Sequence, residues 1–212
     1  MQFDLATTDA LLSTTRAVRK RLDLDKPVPR EVILECIALS QQAPTGSNSQ
    51  GWRWIIVEDA AKRAALGEIY KQAGAAYLAA GAEMTKGQGQ QGRVMSSALW
   101  LAENMGRAPV LAIPCIEGSF PEGAPLAMLA SQYASIYPAV WSFQLALRSR
   151  GLGSTLTTLH LLREKEAAEV LGLPENILQV AMLPVAYTVG TDFKRAERPG
   201  PETIVHWDGW QA

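Results

Sequence analysis

The apolar positions of this chain recur with two different periods. Val32, Ile33, Cys36, Ile37 and Leu39 fall at helical spacing, with Pro29 suited to the first turn of that helix. Ile136, Val140, Phe143 and Leu147 recur at spacings of four, three and four, which predicts one buried face on a long helix from about Ala127 to Arg150. Arg148 and Arg150 suit its C-terminal dipole, and Gly151 fits a left-handed position just beyond it. Further helices are predicted over 7–15 with Thr7 or Thr8 as cap, from Asp59 to about Met84, over about 93–104, and over the charged stretch 163–171. Trp52–Glu58 is β-branched and aromatic and reads as a strand. The nearly continuous apolar run from Pro109 to Ile116 reads as a central strand, and 154–159 and 178–189 are strand-like. The last twenty residues, 193–212, carry Pro199, Pro201, Trp207 and Trp210 and read as an extended arm. Alternating helices and strands, without a long linker or an internal repeat, predict a single α+β or α/β domain over 1–212.

Composition narrows the class. With 212 residues, 48% hydrophobic and 19% charged, the chain can bury a sizeable core, which excludes a disordered or collagen-like protein. Twenty Lys plus Arg against 21 Asp plus Glu leave a net charge of −1, which argues against a general nucleic-acid binder. No apolar run approaches the roughly 20 residues that span a bilayer, so no membrane partner is expected. The segment Met1–Leu5 has neither the basic nor the apolar region of a signal peptide. Cys36 and Cys115 lie far apart in apolar segments, as buried reduced thiols would, and a cytoplasmic location is the expectation.

Candidate chemistry is sparse by type. Gly87–Gly92 spells G-x-G-x-x-G, but it follows an Ala-rich helix and not a strand, so it reads as a polar mobile loop over 85–93. His160 and His206 are the only histidines and neither has a second ligand at metal-binding spacing; no metal is expected. There is no nucleophile elbow, and neither cysteine has a cationic neighbour. Enzymatic chemistry in such a chain belongs to a bound cofactor. Two basic clusters, Arg16, Arg19, Lys20 and Arg21 near the start and Lys194, Arg195 and Arg198 near the end, are solvated surface or a phosphate site. Between a helix and a strand, Pro44-Thr45-Gly46-Ser47-Asn48-Ser49-Gln50 packs hydroxyls, amides and exposed backbone donors into seven residues, which suits the polar edge of a heteroaromatic ring.

In this order, these motifs resemble the nitroreductase family of FMN-dependent oxidoreductases, and the resemblance covers most of the chain. It rests on Arg16-Ala17-Val18-Arg19, on the string from Pro44 to Trp52, on Arg150-Gly151-Leu152-Gly153-Ser154-Thr155 and on the basic C-terminal cluster. The resemblance implies an α+β fold with a mixed central sheet surrounded by helices, an obligate homodimer with a domain-swapped C-terminal arm, and FMN in a cleft at the dimer interface. By matching position, Arg16, Ala17, Val18 and Arg19 would hold the flavin phosphate, with Lys194, Arg195 and Arg198 returning to it. Pro44, Gly46, Ser47, Asn48 and Gln50 would line the ribityl chain and ring, and Thr157, Thr158 and Leu159 would approach the N5 and O4 edge. Ala17 stands where many members have Ser, and Gly51 where Pro is frequent. The segment 85–93 would lie in the lid region that shapes substrate access. The implied activity is ping-pong transfer from NADH or NADPH, through flavin N5, to an electron-poor acceptor such as a nitroaromatic, quinone or enone. The alternatives are a non-catalytic flavin-binding or flavin-storing protein, and an offshoot acting on flavin or on halogenated aromatics.

Overall fold

Helix α1 (Leu5–Thr14) starts one turn before the threonines expected to cap it. Asp4 is the cap, accepting from the Ala6 N–H at 3.2 Å and from the Thr7 hydroxyl, so a carboxylate satisfies donors that the hydroxyl was expected to serve. The structure is a computed structural model that describes residues 2–119, 121 and 123–210. After α1 come α2 (Arg30–Ser40), β1 (Trp52–Val57), α3 (Ala60–Met84), α4 (Gly89–Asn104), β2 (Val110–Glu117), α5 (Leu126–Ala134), α6 (Tyr137–Ser149), β3 (Leu152–Ser154), α7 (Glu164–Leu171), β4 (Ile177–Gln179) and β5 (Leu183–Tyr187).

The sheet runs β1-β2-β5-β3, with β4 also pairing β2. Each strand enters opposite to its neighbour, so among the described residues every ladder is antiparallel and the sheet is not mixed as expected. Both faces are covered, and the alternation along β2 shows how. Val110, Ala112 and Ile116 pack into a cluster with α2 and α6, which includes Ile33, Cys36, Ile136, Val140, Phe143 and Leu147. Leu111, Ile113 and Cys115 pack into a second cluster with α3 and α4, which includes Leu66, Tyr70 and Leu101. A period of two on a strand covered from both sides yields the unbroken apolar run seen in the sequence.

Four elements differ from their sequence reading. The strand expected over 154–159 is β3, which ends at Ser154, with Thr157 making only an isolated bridge to Met182 beyond it. The other three differ for local reasons. The single strand expected over 178–189 is two, because Cys115 faces Gln179 while Ala112 faces Leu183, one residue more on the second side. That extra residue is a bulge opposite Pro114, which has no N–H to give the ladder. The long helix from 127 to 150 breaks between α5 and α6, where Pro138 in the first turn of α6 cannot continue the hydrogen bonding of α5. The Gly-rich stretch is not a loop throughout: α4 already begins at Gly89, and only Thr85–Gln88 connect it to α3. Beyond β5 the chain runs along the surface with one short 3-10 turn at Pro201–Thr203. Ile204, Trp207 and Trp210 of this arm are largely exposed.

Candidate cofactor site

The two basic clusters from opposite ends of the sequence meet at one place. The segment carrying Arg16–Arg19 is laid against the sheet edge by Val18, whose N–H donates to the Ser154 carbonyl at 2.9 Å and whose side chain is buried with Leu22 and Ala186. Gly153 makes this approach possible. A Cβ there would lie 2.9 Å from Val18 Cβ and 2.7 Å from Thr188 Cγ2, closer than packed carbons tolerate. On the other side, Phe193 anchors the start of the C-terminal arm, with the Arg21 guanidinium 4.2 Å and that of Arg148 4.5 Å from its ring centroid. Arg21 is also paired with Asp192 at 2.7 Å. The arm therefore leaves the sheet beside Arg16, which donates to the Lys194 carbonyl at 3.0 Å, while Arg195 donates to Ser13 Oγ of α1 at 3.0 Å.

Two adjoining cavities lie between these segments and α4. The smaller, of about 350 Å³, is lined by residues 16–21 with Ser97, Phe193 and Lys194; the larger, of about 630 Å³, shares Arg16, Arg19, Lys20 and Lys194 and adds Arg93 and Arg195. Arg19 is the most enclosed of these cations. Burial holds its guanidinium below the usual arginine range, and its side-chain neighbours are Ser97 Oγ at 3.4 Å and the Tyr70 hydroxyl. Tyr70 is itself pushed up by burial, an effect opposed by Arg19 and by its hydrogen bond with Thr157. Among the described residues, Arg16, Arg19, Lys20, Arg93, Lys194 and Arg195 have no ion-pair partner, whereas Arg21 does. A half-buried guanidinium without a counterion is costly unless an anion completes it, so the cavity fits the phosphate of a bound cofactor. Arg198 lines neither cavity and donates to the carbonyl of Glu197.

The loop expected to line a ring is built for exposure. Ser47, Asn48 and Gln50 hold φ of 53°, 53° and 51°, so three non-glycine residues within four positions are left-handed. Such conformations cost on the order of 1 kcal/mol each and gather where function demands them. The loop is fixed from below: the Gly46 N–H donates to Ser135 Oγ at 2.9 Å, Gln50 N–H to Thr45 Oγ1 at 3.1 Å, and Gln50 Nε2 to Asn48 Oδ1 at 3.1 Å. Pro44, Gly46, Ser47, Asn48 and Gln50 are all exposed, and none lines either cavity. Sheet register explains why. The loop enters β1 at Trp52, opposite Ile116, whereas Ser154, which holds Val18, is level with Val185 and so with Val110. From Ile116 to Val110 along β2 is roughly 20 Å at about 3.3 Å per residue, with three strand spacings to cross as well. One chain therefore carries the two halves of the expected site at opposite corners of its sheet.

Thr157 lies between Arg19 and the sheet. Its Oγ1 donates to the Met182 carbonyl at 2.6 Å and it meets the Tyr70 hydroxyl. Thr158 is exposed and Leu159 packs under Gly74 of α3. Arg93, Ser96, Ser97 and Tyr70 were not singled out in the sequence: the first three lie on the helix expected over about 93–104 and Tyr70 on an Ala-rich helix, none of them within a motif.

The chain belongs to the nitroreductase family, whose model matches residues 12–187. It is 26% identical over 197 residues to the iodotyrosine deiodinase of Thermotoga neapolitana, covering 93% of this chain and 96% of that protein. To the 5,6-dimethylbenzimidazole synthase of Rhodospirillum rubrum it is 29% identical over 209 residues, covering 96% and 89%. Its fold matches the crystal structure of an oxidized iodotyrosine deiodinase bound to FMN and 3-iodo-L-tyrosine with a TM-score of 0.71 at 24% identity, over 95% of this chain and 99% of that one. Among the described residues no helix is long and apolar enough to cross a membrane.

Proposed function

We propose that this protein is an FMN-dependent oxidoreductase that takes reducing equivalents from NADH or NADPH and passes them to an electron-poor acceptor such as a nitroaromatic, quinone or enone. The observation that carries this reading is the convergence of unpaired cations from both ends of the chain on one cavity around Arg19. When bound, FMN supplies a ring position that accepts a hydride and returns it to a second substrate. The chain's own work is to bind and orient. Arg16, Arg19, Lys194 and Arg195 hold the phosphate, Val18 and Gly153 set that anchor against the sheet, and Thr157 with Tyr70 ties it to the β5 side of the sheet. The loop 44–50 offers hydroxyl, amide and backbone donors to the ring and its side chain. Because one chain keeps the two halves at opposite corners, the site is completed in a homodimer, with loop 44–50 of one subunit facing the phosphate anchor of the other and the 193–212 arm crossing between them. No side chain here needs to act as acid or base.

Purified protein is expected to be yellow, with about one FMN per chain, and to oxidise NADH or NADPH in the presence of menadione or a nitroaromatic. Colourless protein that takes up no added FMN would end the flavin reading; bound FMN without turnover would point to a flavin-storing protein. The two relatives favour a second reading, in which the chain is an offshoot of the family that acts on a halogenated aromatic or on the flavin itself. Iodide release from 3-iodo-L-tyrosine, or formation of 5,6-dimethylbenzimidazole, separates these from quinone or nitro reduction.

A further inference from the structure

The larger cavity extends beyond the residues that a flavin phosphate needs. Beyond the residues it shares with the smaller cavity, Lys20 among them, it is lined from the first two turns of α4 by Gln90, Arg93 and Ser96. Its basic residues number six, Arg16, Arg19, Lys20, Arg93, Lys194 and Arg195, and Glu197 is the one acid in its lining. A phosphate monoester brings at most two negative charges, so a single one leaves most of this positive charge uncompensated.

The cations also separate into an inner and an outer set. Arg19 and Lys20 are neighbours in the chain but are held by different serines of α4: Arg19 inward on Ser97 at 3.4 Å, and Lys20 outward on Ser96 at 3.1 Å. Arg93, exposed and lining the larger of the two cavities but not the smaller, stands three residues before Ser96 on the same helix, and both also border a separate cavity between α3 and α4 that includes Glu83 and Lys86. Arg93 stands in the second turn of α4. A guanidinium fork beside an ammonium and a hydroxyl is the donor set of a phosphate monoester site.

We propose that Lys20, Arg93 and Ser96 form a second phosphate subsite that takes the 2′-phosphate of NADPH, making NADPH the preferred hydride donor. The inference rests on the flavin reading above, because the two reduced nicotinamide donors of a flavin reductase differ in that phosphate alone. Arg93 and Ser96 line the larger of the two cavities and not the smaller, and exposed Lys20, which borders both, joins them through Ser96, so the subsite lies beside the flavin anchor.

Calorimetric titration of the FMN-loaded protein with adenosine 2′,5′-bisphosphate and with adenosine 5′-monophosphate tests it directly. The bisphosphate is expected to bind about tenfold more tightly or better. Arg93→Gln and Lys20→Gln should each remove most of that difference while FMN absorbance and retention stay as they were. Equal affinities in the unsubstituted protein would overturn the subsite. So would loss of FMN from Arg93→Gln, which would assign Arg93 to the flavin phosphate. Protein that takes up no FMN would sink the flavin reading instead, and the affinity difference between the two nucleotides would still decide the subsite.

Discussion

The indole N–H of Trp52 donates to the carbonyl of Ser135 at 2.9 Å, and the hydroxyl of that serine accepts from Gly46. Ser135 stands at the break between α5 and α6, so the interruption of the helix turns a residue toward the polar loop at both its beginning and its exit into β1. Ser135→Ala keeps the first contact, which uses the backbone, and strands the Gly46 N–H. Stability is expected to fall by about 1 kcal/mol in urea unfolding, and FMN affinity to fall with it. Unchanged flavin affinity would show that the loop conformation does not depend on this anchor.

Arg19 and Arg198 separate a cavity residue from a surface one. Arg19→Ala removes a charge-assisted contact worth roughly 1.5–3 kcal/mol, so FMN affinity should drop about tenfold or more in a fluorescence titration. Arg198→Ala should leave it unchanged, since that side chain reaches only the Glu197 carbonyl. A reversed ranking would move the phosphate site out along the arm.

His160 gives the protein a predictable acid sensitivity. Its ring is fully buried, neither nitrogen has a hydrogen-bond partner among the described residues, and burial pushes its pKa down to about 4 from 6.5. Between those values the unfolded chain binds a proton that the folded one refuses, so stability is full above pH 6.5 and is lost progressively as pH falls toward 4. The loss amounts to at most about 3 kcal/mol. His160→Leu should flatten this part of the stability profile and cost little at pH 7, because it removes two unpaired polar atoms. Urea melts of both proteins from pH 4.5 to 7.5 check it; parallel slopes would refute the assignment.

The apolar stripe of α6 was legible because it obeys a single rule: Ile136, Val140, Phe143 and Leu147 are all fully buried. The central position of β2 and the capping of α3 by Asp59, which accepts from the Lys62 N–H at 2.9 Å, were legible for the same reason. Where two signals competed, the stronger pattern hid the weaker one. The stripe masked the helix break at Pro138, and the glycines masked the first turn of α4 from Gly89, so that its helix was expected only from about Arg93. The basic cluster of residues 16–21 was visible as composition, but its meeting with Lys194 depends on Phe193 seated between Arg21 and Arg148, a tertiary contact without a local signature. The left-handed run at Ser47, Asn48 and Gln50 likewise had no glycine to announce it.

The arm predicts a coupled loss. Ile204 and Trp207 are 70% and 75% exposed in the single chain, and such apolar surface in a soluble protein is covered by something. Deleting residues 199–212 is expected to lower dimer stability and flavin retention together, read by light scattering and absorbance. A monomer near 23 kDa that keeps its flavin would refute the arrangement.

The separation of anchor and loop along one sheet has a genetic consequence. In a symmetric pair where each pocket draws its anchor from one subunit and its loop from the other, two differently damaged chains repair each other. A mixed dimer of Arg19→Ala with a subunit carrying a disabled 44–50 loop concentrates both lesions in one pocket and leaves the other intact. Two homodimers that each retain little flavin, unfolded and refolded together, would then regain a measurable share of native flavin binding. Were both halves used within one chain, every pocket in the mixture would remain broken, and mixing would restore nothing.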